Sequence, residues 1–245
     1  MFISFEGIDG SGKSTQARLL AEALRAEGRD VVLTREPGGS DGAEAIRRLL
    51  VEGGTDRWSA ETEILLFNAA RRDHLERTIL PALARGATVI TDRFADSTRV
   101  YQGATRGDLS DTVEALHSLM IGIEPDRTFV IDMPLKVAAK RLLERAAAAY
   151  AAAAAASAAA AASAQDVAEA AEQAALAAGH AAESARFAEL SKVELEDRFE
   201  SMGAQFQRKL QDGFKALAAA HPSRIRIVDG SGAPEAVAAR VRAAL

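Results

Sequence analysis

Short apolar runs rich in branched and aromatic residues alternate along this chain with longer stretches in which apolar side chains return every three or four positions. The first kind predicts strands at Phe2–Phe5, Asp30–Thr34, Gly86–Thr91, Arg127–Asp132 and Arg224–Asp229. The second predicts helices over Gln16–Arg25, Asp41 to about Leu50, Ser110–Ile121, Pro134–Arg145 and Ala233–Leu245. A longer helix should run from an N-cap at Ser59 to about Arg85, bent at Pro81. Asp41 is the expected cap of the helix it opens, with Ala43, Ile46, Leu49 and Leu50 turned inward. Strands separated by helices cannot pair as tight hairpins. The pattern therefore predicts an α/β fold: one five-stranded parallel sheet with helices on both faces. A single domain accommodates the 245 residues.

One stretch departs from both rhythms. From Ala146 to Ala164 the chain is alanine interrupted only by Tyr150, Ser157 and Ser163, and alanine dominates on to Ala185. Alanine has the highest helix propensity, so residues 146–193 are expected to form a helical insertion, broken near Gly179 and His180 into an antiparallel pair. A membrane span is the competing reading. Alanine is only marginally apolar, and no Leu, Ile or aromatic anchors flank the run, so no membrane contact is expected. Glu189 to Leu217 then reads as one or two charged amphipathic helices, with Phe206, Leu210, Phe214 and Leu217 recurring at three- or four-residue steps.

Between the first strand and the first helix stands Gly7-Ile-Asp-Gly-Ser-Gly-Lys-Ser-Thr15, which satisfies G-x-x-x-x-G-K-[ST] with Gly7, Gly12, Lys13 and Ser14 in register. A strand before the motif and a helix after it are the context this phosphate-binding loop requires. Its glycines let backbone N–H groups turn onto phosphate oxygens, while the helix N-terminus points its positive end at the same anion. Gly7, Ile8, Asp9, Gly10, Ser11 and Gly12 would form the cradle. Lys13 would bridge the β- and γ-phosphates of a nucleoside triphosphate, Ser14 would put its hydroxyl on Mg²⁺, and Thr15 would hold an α-phosphate oxygen.

Composition narrows the partners. A formal net charge of −5 argues against a nonspecific nucleic-acid binder, although a local arginine cluster can still receive a small anion. The absence of cysteine removes disulfides and thiolate metal sites and fits a reducing cytoplasm. A strand that starts at Phe2 and carries Glu6 and Asp9 is unlike a secretory leader.

Further polar residues fall at the carboxyl ends of strands, where α/β sheets bind ligands. Arg35-Glu-Pro-Gly-Gly39 follows the second strand as a tight turn presenting Arg35 and Glu36, and Asp92-Arg93 closes the third. Phe67 and Arg71 are four apart and share a helical face. Thr98, Tyr101 and Gln102 put polar and aromatic groups where a core helix would be aliphatic, the pattern of a ligand wall. Arg47 and Arg93 suit a dianion, and an aromatic face with a guanidinium four residues on suits an uncharged oxo-pyrimidine. Plainer readings exist: Phe67 and Tyr101 as packing residues, the helix arginines as solvated charge. Asp92 reads either as a carboxylate beside Mg²⁺ or as a structural acceptor for Ser14.

With these residues the chain resembles the bacterial thymidylate kinases, among the P-loop nucleoside monophosphate kinases. The carriers are FEGIDGSGKST at the start, TREPGG after the second strand, ILLFNAARRDH, the TDRF, DST and YQG segment, and EDRFE. The resemblance covers nearly the whole chain outside the alanine stretch. The resemblance implies that Phe67 stacks on the thymine ring, that Arg71 reaches its O4 edge, and that Thr98 and Gln102 contact the pyrimidine. It implies that Tyr101 lies against the deoxyribose and Asp9 near the 3′-hydroxyl, while Arg93 and Arg47 hold the 5′-phosphate of dTMP with Glu36 close by. It further implies ATP with Mg²⁺ as donor. The phosphate loop has no arginine in its variable positions, so Arg198 of EDRFE is nominated to spread the developing charge, with Arg145 a second candidate. Lys13, Arg93, Arg198 and Asp9 are thus the expected catalytic residues, and a cytoplasmic homodimer is the expected form.

The alanine stretch departs from the family, because it falls where the segment that closes over ATP is usually short. Rival functions are a regulatory P-loop hydrolase, a non-catalytic scaffold and a kinase for another small acceptor. A hydrolase should show switch loops and, for guanine, an N/T-K-x-D base reader, which the sequence lacks. A scaffold leaves Lys13, Ser14, Arg93 and Arg198 unexplained.

Overall fold

Five strands, β1 (Phe2–Glu6), β2 (Val31–Arg35), β3 (Thr88–Asp92), β4 (Arg127–Asp132) and β5 (Ile225–Asp229), pair in the order β2-β3-β1-β4-β5. All pairings are parallel, with Phe5 opposite Asp92 on one side of β1 and Glu6 opposite Val130 on the other. The structure is a computed structural model and describes residues 1–52, 57–104, 107–162 and 203–245. β1 is central and buried along its length. Side chains alternate across a strand, so Ile3 and Phe5 serve one face and Phe2, Ser4 and Glu6 the other.

On the first face Ile3 and Phe5 join Ala17, Leu20 and Leu24 of α1 (Lys13–Ala26) and Val237 and Val241 of α9 (Pro234–Ala243). On the opposite face Phe2 packs edge-on against Phe94 and meets Leu75 and Ile79. The helices around this face are α3 (Ala60–His74), α4 (Leu80–Ala84), α5 (Ala95–Thr98) and α6 (Ser110–Met120), with α2 (Asp41–Val51) against α3. The expected apolar face of α8 (Gly203–Ala220) is present: Phe206, Leu210 and Phe214 pack with Ile8, Tyr101, Val130 and Ala138.

Several local expectations change. Ser59 does cap α3, accepting the Thr62 N–H at 3.2 Å, which stabilises the helix by about 1 kcal/mol. At α2 the N-cap is Ser40 rather than Asp41, and its hydroxyl donates to Asp73 Oδ2 at 2.6 Å. Leu49 is exposed, not inward. The irregularity after α3 is a widened π turn at Leu75–Ile79, ahead of Pro81 rather than at it. Proline has no N–H and its ring presses on the carbonyl four residues back, at Arg77; the wider turn makes room. A second π turn, Arg99–Ala104, follows α5. The helix expected to stop at Arg145 continues as α7 (Leu135–Ala162), because alanine lets it propagate. The remainder of the 146–193 insertion, the Gly179 and His180 break, and the amphipathic stretch before Gly203 lie outside the described residues.

Candidate active site

The chain leaves β1 at Glu6 and turns through the glycine loop into α1. Gly7 has φ +133°, and a Cβ there would lie 2.7 Å from the Ile131 carbonyl oxygen. Gly10 has φ +77°, and a Cβ there would lie 2.4 Å from the Ala138 carbonyl oxygen of α7. Neither position admits an L side chain, so the loop owes its shape to close approach by β4 and α7. Gly12 starts α1 without a side-chain cap, and the first turn holds no acidic residue. The leading N–H groups are therefore left for an anion. A cleft of about 330 Å³ opens over Gly10 to Gln16, closed on its far side by Arg141 and Arg145 of α7, by Gly232 and by Pro234 at the start of α9. Gly7 and Ile8 lie behind it: the Gly7 carbonyl faces Arg93, and Ile8 is buried in the core.

A second cleft of about 390 Å³ adjoins the first and shares Lys13, Ser14 and Arg145 with it. Every residue expected on the acceptor side borders it: Asp9, Glu36, Arg47, Phe67, Arg71, Arg93, Thr98, Tyr101 and Gln102. Arg71 is held on several sides. Its Nε donates to Glu36 Oε2 at 2.7 Å, and its Nη2 donates to the Phe94 carbonyl at 3.2 Å and Thr98 Oγ1 at 3.0 Å. The guanidinium also lies over the Phe94 ring. Behind it, Glu36 Oε1 accepts from His74 Nδ1 at 3.0 Å, and His74 Nε2 meets Thr34 Oγ1 at 2.8 Å. A carboxylate only accepts, so His74 donates from Nδ1. Gln102 is oriented in the same manner, its Nε2 donating to the buried Glu63 at 3.2 Å.

Arg93 stands at the junction of the clefts. Its backbone has φ +70°, a left-handed conformation that costs a non-glycine residue about 1–2 kcal/mol. Nη1 donates to Ser97 Oγ at 3.0 Å and the Gly7 carbonyl at 3.3 Å; Nη2 donates to Asp9 Oδ1 and Tyr101 Oη. Lys13 Nζ donates to the same Asp9 oxygen at 2.9 Å, so one carboxylate keeps two cations side by side. Burial opposes ionisation of Asp9, but Arg93 and then Lys13 outweigh it and hold the carboxyl well below its usual range. Burial pushes the Tyr101 phenol up despite Arg93, so it stays protonated. Arg47 reaches the Pro37 carbonyl at 2.6 Å and faces the cleft from α2.

Ser14 and Asp92 border this cleft without hydrogen bonding to each other, and Asp92 Oδ1 is buried with no partner among the described residues. The reading of Asp92 as an acceptor for Ser14 is therefore not met. Arg198 lies outside the described residues. No supporting role was read for Glu6, Ser97, His74 or Glu63, although the first three fall within the quoted motifs: Ser97 holds Arg93, His74 holds Glu36, Glu63 holds Gln102, and Glu6 reaches Arg93 through Ser97. His74 had a signal, three residues after Arg71 on one helix face; Glu6 had none beyond its place before Gly7. The loop Gly230-Ser-Gly-Ala-Pro234 was also unanticipated as a cleft wall.

A parallel sheet whose central strand opens into a phosphate loop, beside a cleft lined by arginines and an aromatic ring, defines a P-loop NTPase fold with an acceptor site. The family model for thymidylate kinase matches residues 5–175. A thymidylate kinase from Dinoroseobacter shibae is 56% identical over 243 residues, spanning 99% of this chain and 95% of the relative. One from Caulobacter vibrioides is 42% identical over 98% of this chain and 93% of its own length. Among solved structures, thymidylate kinase from Ehrlichia chaffeensis matches with a TM-score of 0.65 and 30% identity, covering 100% of this chain and 97% of that one. The chain belongs to the thymidylate kinase family.

Proposed function

We propose that this chain transfers the γ-phosphoryl group of ATP to dTMP, forming ADP and dTDP. The observation that carries the reading is the join between the clefts. Lys13, Ser14 and Arg145 border both, so a triphosphate seated on the α1 N-terminus would end where a phosphate on Arg93 begins. A 5′-phosphate oxygen of dTMP attacks the γ-phosphorus as the bond to the β-phosphate oxygen breaks, and ADP leaves. Such transfer asks a protein for alignment and charge neutralisation, which Lys13, Arg93 and Arg47 supply. Phe67 offers a ring face to the pyrimidine. Arg71, whose Nε is held by Glu36 and Nη2 by the Phe94 carbonyl and Thr98, would meet its O4 edge. Thr98 and Gln102 would flank the base, Tyr101 the deoxyribose, and Asp9 the 3′-hydroxyl. Arg198 is assigned to charge stabilisation on the EDRFE segment alone.

Mg²⁺ fits the residues present. The unpartnered Asp92 carboxylate oxygen and the Ser14 hydroxyl, both at the acceptor cleft, would complement phosphate oxygens and water around a hard cation. When bound, it would neutralise charge on the phosphate oxygens. Among the described residues no three His, Cys, Asp or Glu side chains are placed to hold a metal ion by themselves, so the ion would enter with the nucleotide. A homodimer accords with the apolar surface of α3 and α6, where Leu65 is 58% and Leu119 74% exposed. A cytoplasmic setting accords with the lack of cysteine. Among the described residues no helix is long and apolar enough to cross a membrane.

The test is coupled ADP release with Mg·ATP and dTMP, dUMP, UMP, CMP or AMP as acceptor, with Arg198→Ala alongside. Preference for dTMP, with a large turnover loss in the variant, is expected. Equal rates across the panel would reduce Phe67, Arg71 and Tyr101 to packing residues. No acceptor-dependent turnover would overturn the proposal.

A further inference from the structure

Glu6 is wholly buried on the central strand, borders neither cleft, and so touches no substrate. Its two oxygens are nevertheless spent on the neighbours of Arg93. Oε1 accepts the Phe94 N–H at 2.7 Å, and Oε2 accepts the Ser97 hydroxyl at 2.6 Å. Ser97 Oγ in turn accepts from Arg93 Nη1. One carboxyl group thus grips the peptide that leaves Arg93 and the hydroxyl that receives its guanidinium. Two other contacts complete the clamp: Arg93 N donates to the Phe5 carbonyl at 2.9 Å, and Thr91 Oγ1 donates to the Arg93 carbonyl at 2.8 Å.

An arginine in the left-handed region persists only where its surroundings over-determine it, and here most of the determining groups come from β1 and β3. We infer that Glu6 is the positioning residue for Arg93: it sets the direction in which the guanidinium meets the acceptor phosphate, and thereby the affinity for dTMP. The inference rests on the assignment of Arg93 to the phosphate of dTMP. A buried hydrogen-bonded polar group can be kept for stability alone, so the distinction lies in which kinetic constant moves.

Steady-state kinetics of the full chain supply the test, with KM for dTMP and for ATP measured separately and melting temperature alongside. Glu6→Met keeps the volume and removes both acceptors. Its KM for dTMP should rise about tenfold, the worth of a hydrogen bond that orients a charged group, with KM for ATP within about twofold of wild type. Glu6→Gln keeps a carbonyl for the Phe94 N–H and should recover to within about threefold of wild type. If Glu6→Met does not fold, Ser97→Ala breaks the same relay at its middle and should raise KM for dTMP about threefold to fivefold. A lowered melting temperature with both KM values unchanged would overturn the inference, as would equal rises in both. Failure of the dTMP assignment itself would show separately, as a wild-type enzyme with no preference for dTMP.

Discussion

Replacing Glu36 by alanine probes the support beneath Arg71, the arginine proposed to meet the base. The side chains of Glu36 and Arg71 are each 3% exposed, and their ion pair is 2.7 Å long. Deleting one member of a buried pair strands the other charge away from water and costs about 3–5 kcal/mol. Arg71 would keep two acceptors, the Phe94 carbonyl and Thr98 Oγ1, which puts its share near the lower end, about 3 kcal/mol. His74 would lose the acceptor of its Nδ1–H for about 1 kcal/mol more. A total near 4 kcal/mol, at a slope of about 2–3 kcal/mol per molar urea, lowers the unfolding midpoint by about 1.3–2 M. Circular dichroism in urea measures that shift, and calorimetric titration with dTMP measures the second consequence. Without Glu36 on Nε the guanidinium turns, so affinity should fall about tenfold or more. A midpoint lowered by less than about 0.3 M, with unchanged dTMP affinity, would refute the reasoning.

Other outcomes follow from single contacts. Burial, with Asp96 nearby, pushes the Glu6 carboxyl up from 4.5 to about 8, against the pull of Arg93 and the Ser97 and Phe94 hydrogen bonds. Between about pH 4.5 and 8 the native state therefore holds a proton the unfolded chain has released, so stability falls as pH rises through that window. Denaturation at about pH 5, 6.5 and 8 should show the wild type losing stability relative to Glu6→Gln; parallel curves would count against it. Gly10→Ala meets a left-handed φ, worth about 1–2 kcal/mol, and the Ala138 carbonyl besides. It should raise KM for ATP more than KM for dTMP, and equal changes would argue against ATP binding in the cleft that α7 and the phosphate loop form. Asp9→Asn weakens the shared hold on Lys13 and Arg93 and should cut kcat about a hundredfold. Retention of more than about half the wild-type kcat would overturn the proposed catalytic role of Asp9.

Much of this arrangement was legible in the residues because it depends on short-range rules. Strand, glycine loop and helix are consecutive in sequence, and Phe67 and Arg71 share a face by helical geometry alone. What was hidden depends on contacts between distant segments. Glu6 and Phe94 are 88 positions apart, and Glu36 and His74 are 38 apart. No local pattern joins them, and a buried glutamate in a strand reads as an anomaly until its partners are known. The π turn at Leu75–Ile79 was displaced from Pro81 because the ring acts on the preceding turn, not on its own position. Asp41 was read as the cap where Ser40 stands, since both residue types cap well and composition does not locate a helix start to within one position.

Helix α7 carries a mechanical consequence. It rests on the glycine loop where the Ala138 carbonyl meets Gly10, and it continues unbroken to Ala162. At 1.5 Å per residue the far end stands ~36 Å from that fulcrum, whereas Arg141 stands ~4.5 Å from it and Arg145 ~10 Å. A tilt of ~10° about the contact would swing the backbone at Ala162 by ~6 Å while moving Arg141 by under ~1 Å and Arg145 by under ~2 Å. Over its described length, geometry alone therefore scales any tilt of α7 down with distance to the Gly10 contact, so that Arg141 and Arg145, which border the cleft over the phosphate loop, move far less than Ala162.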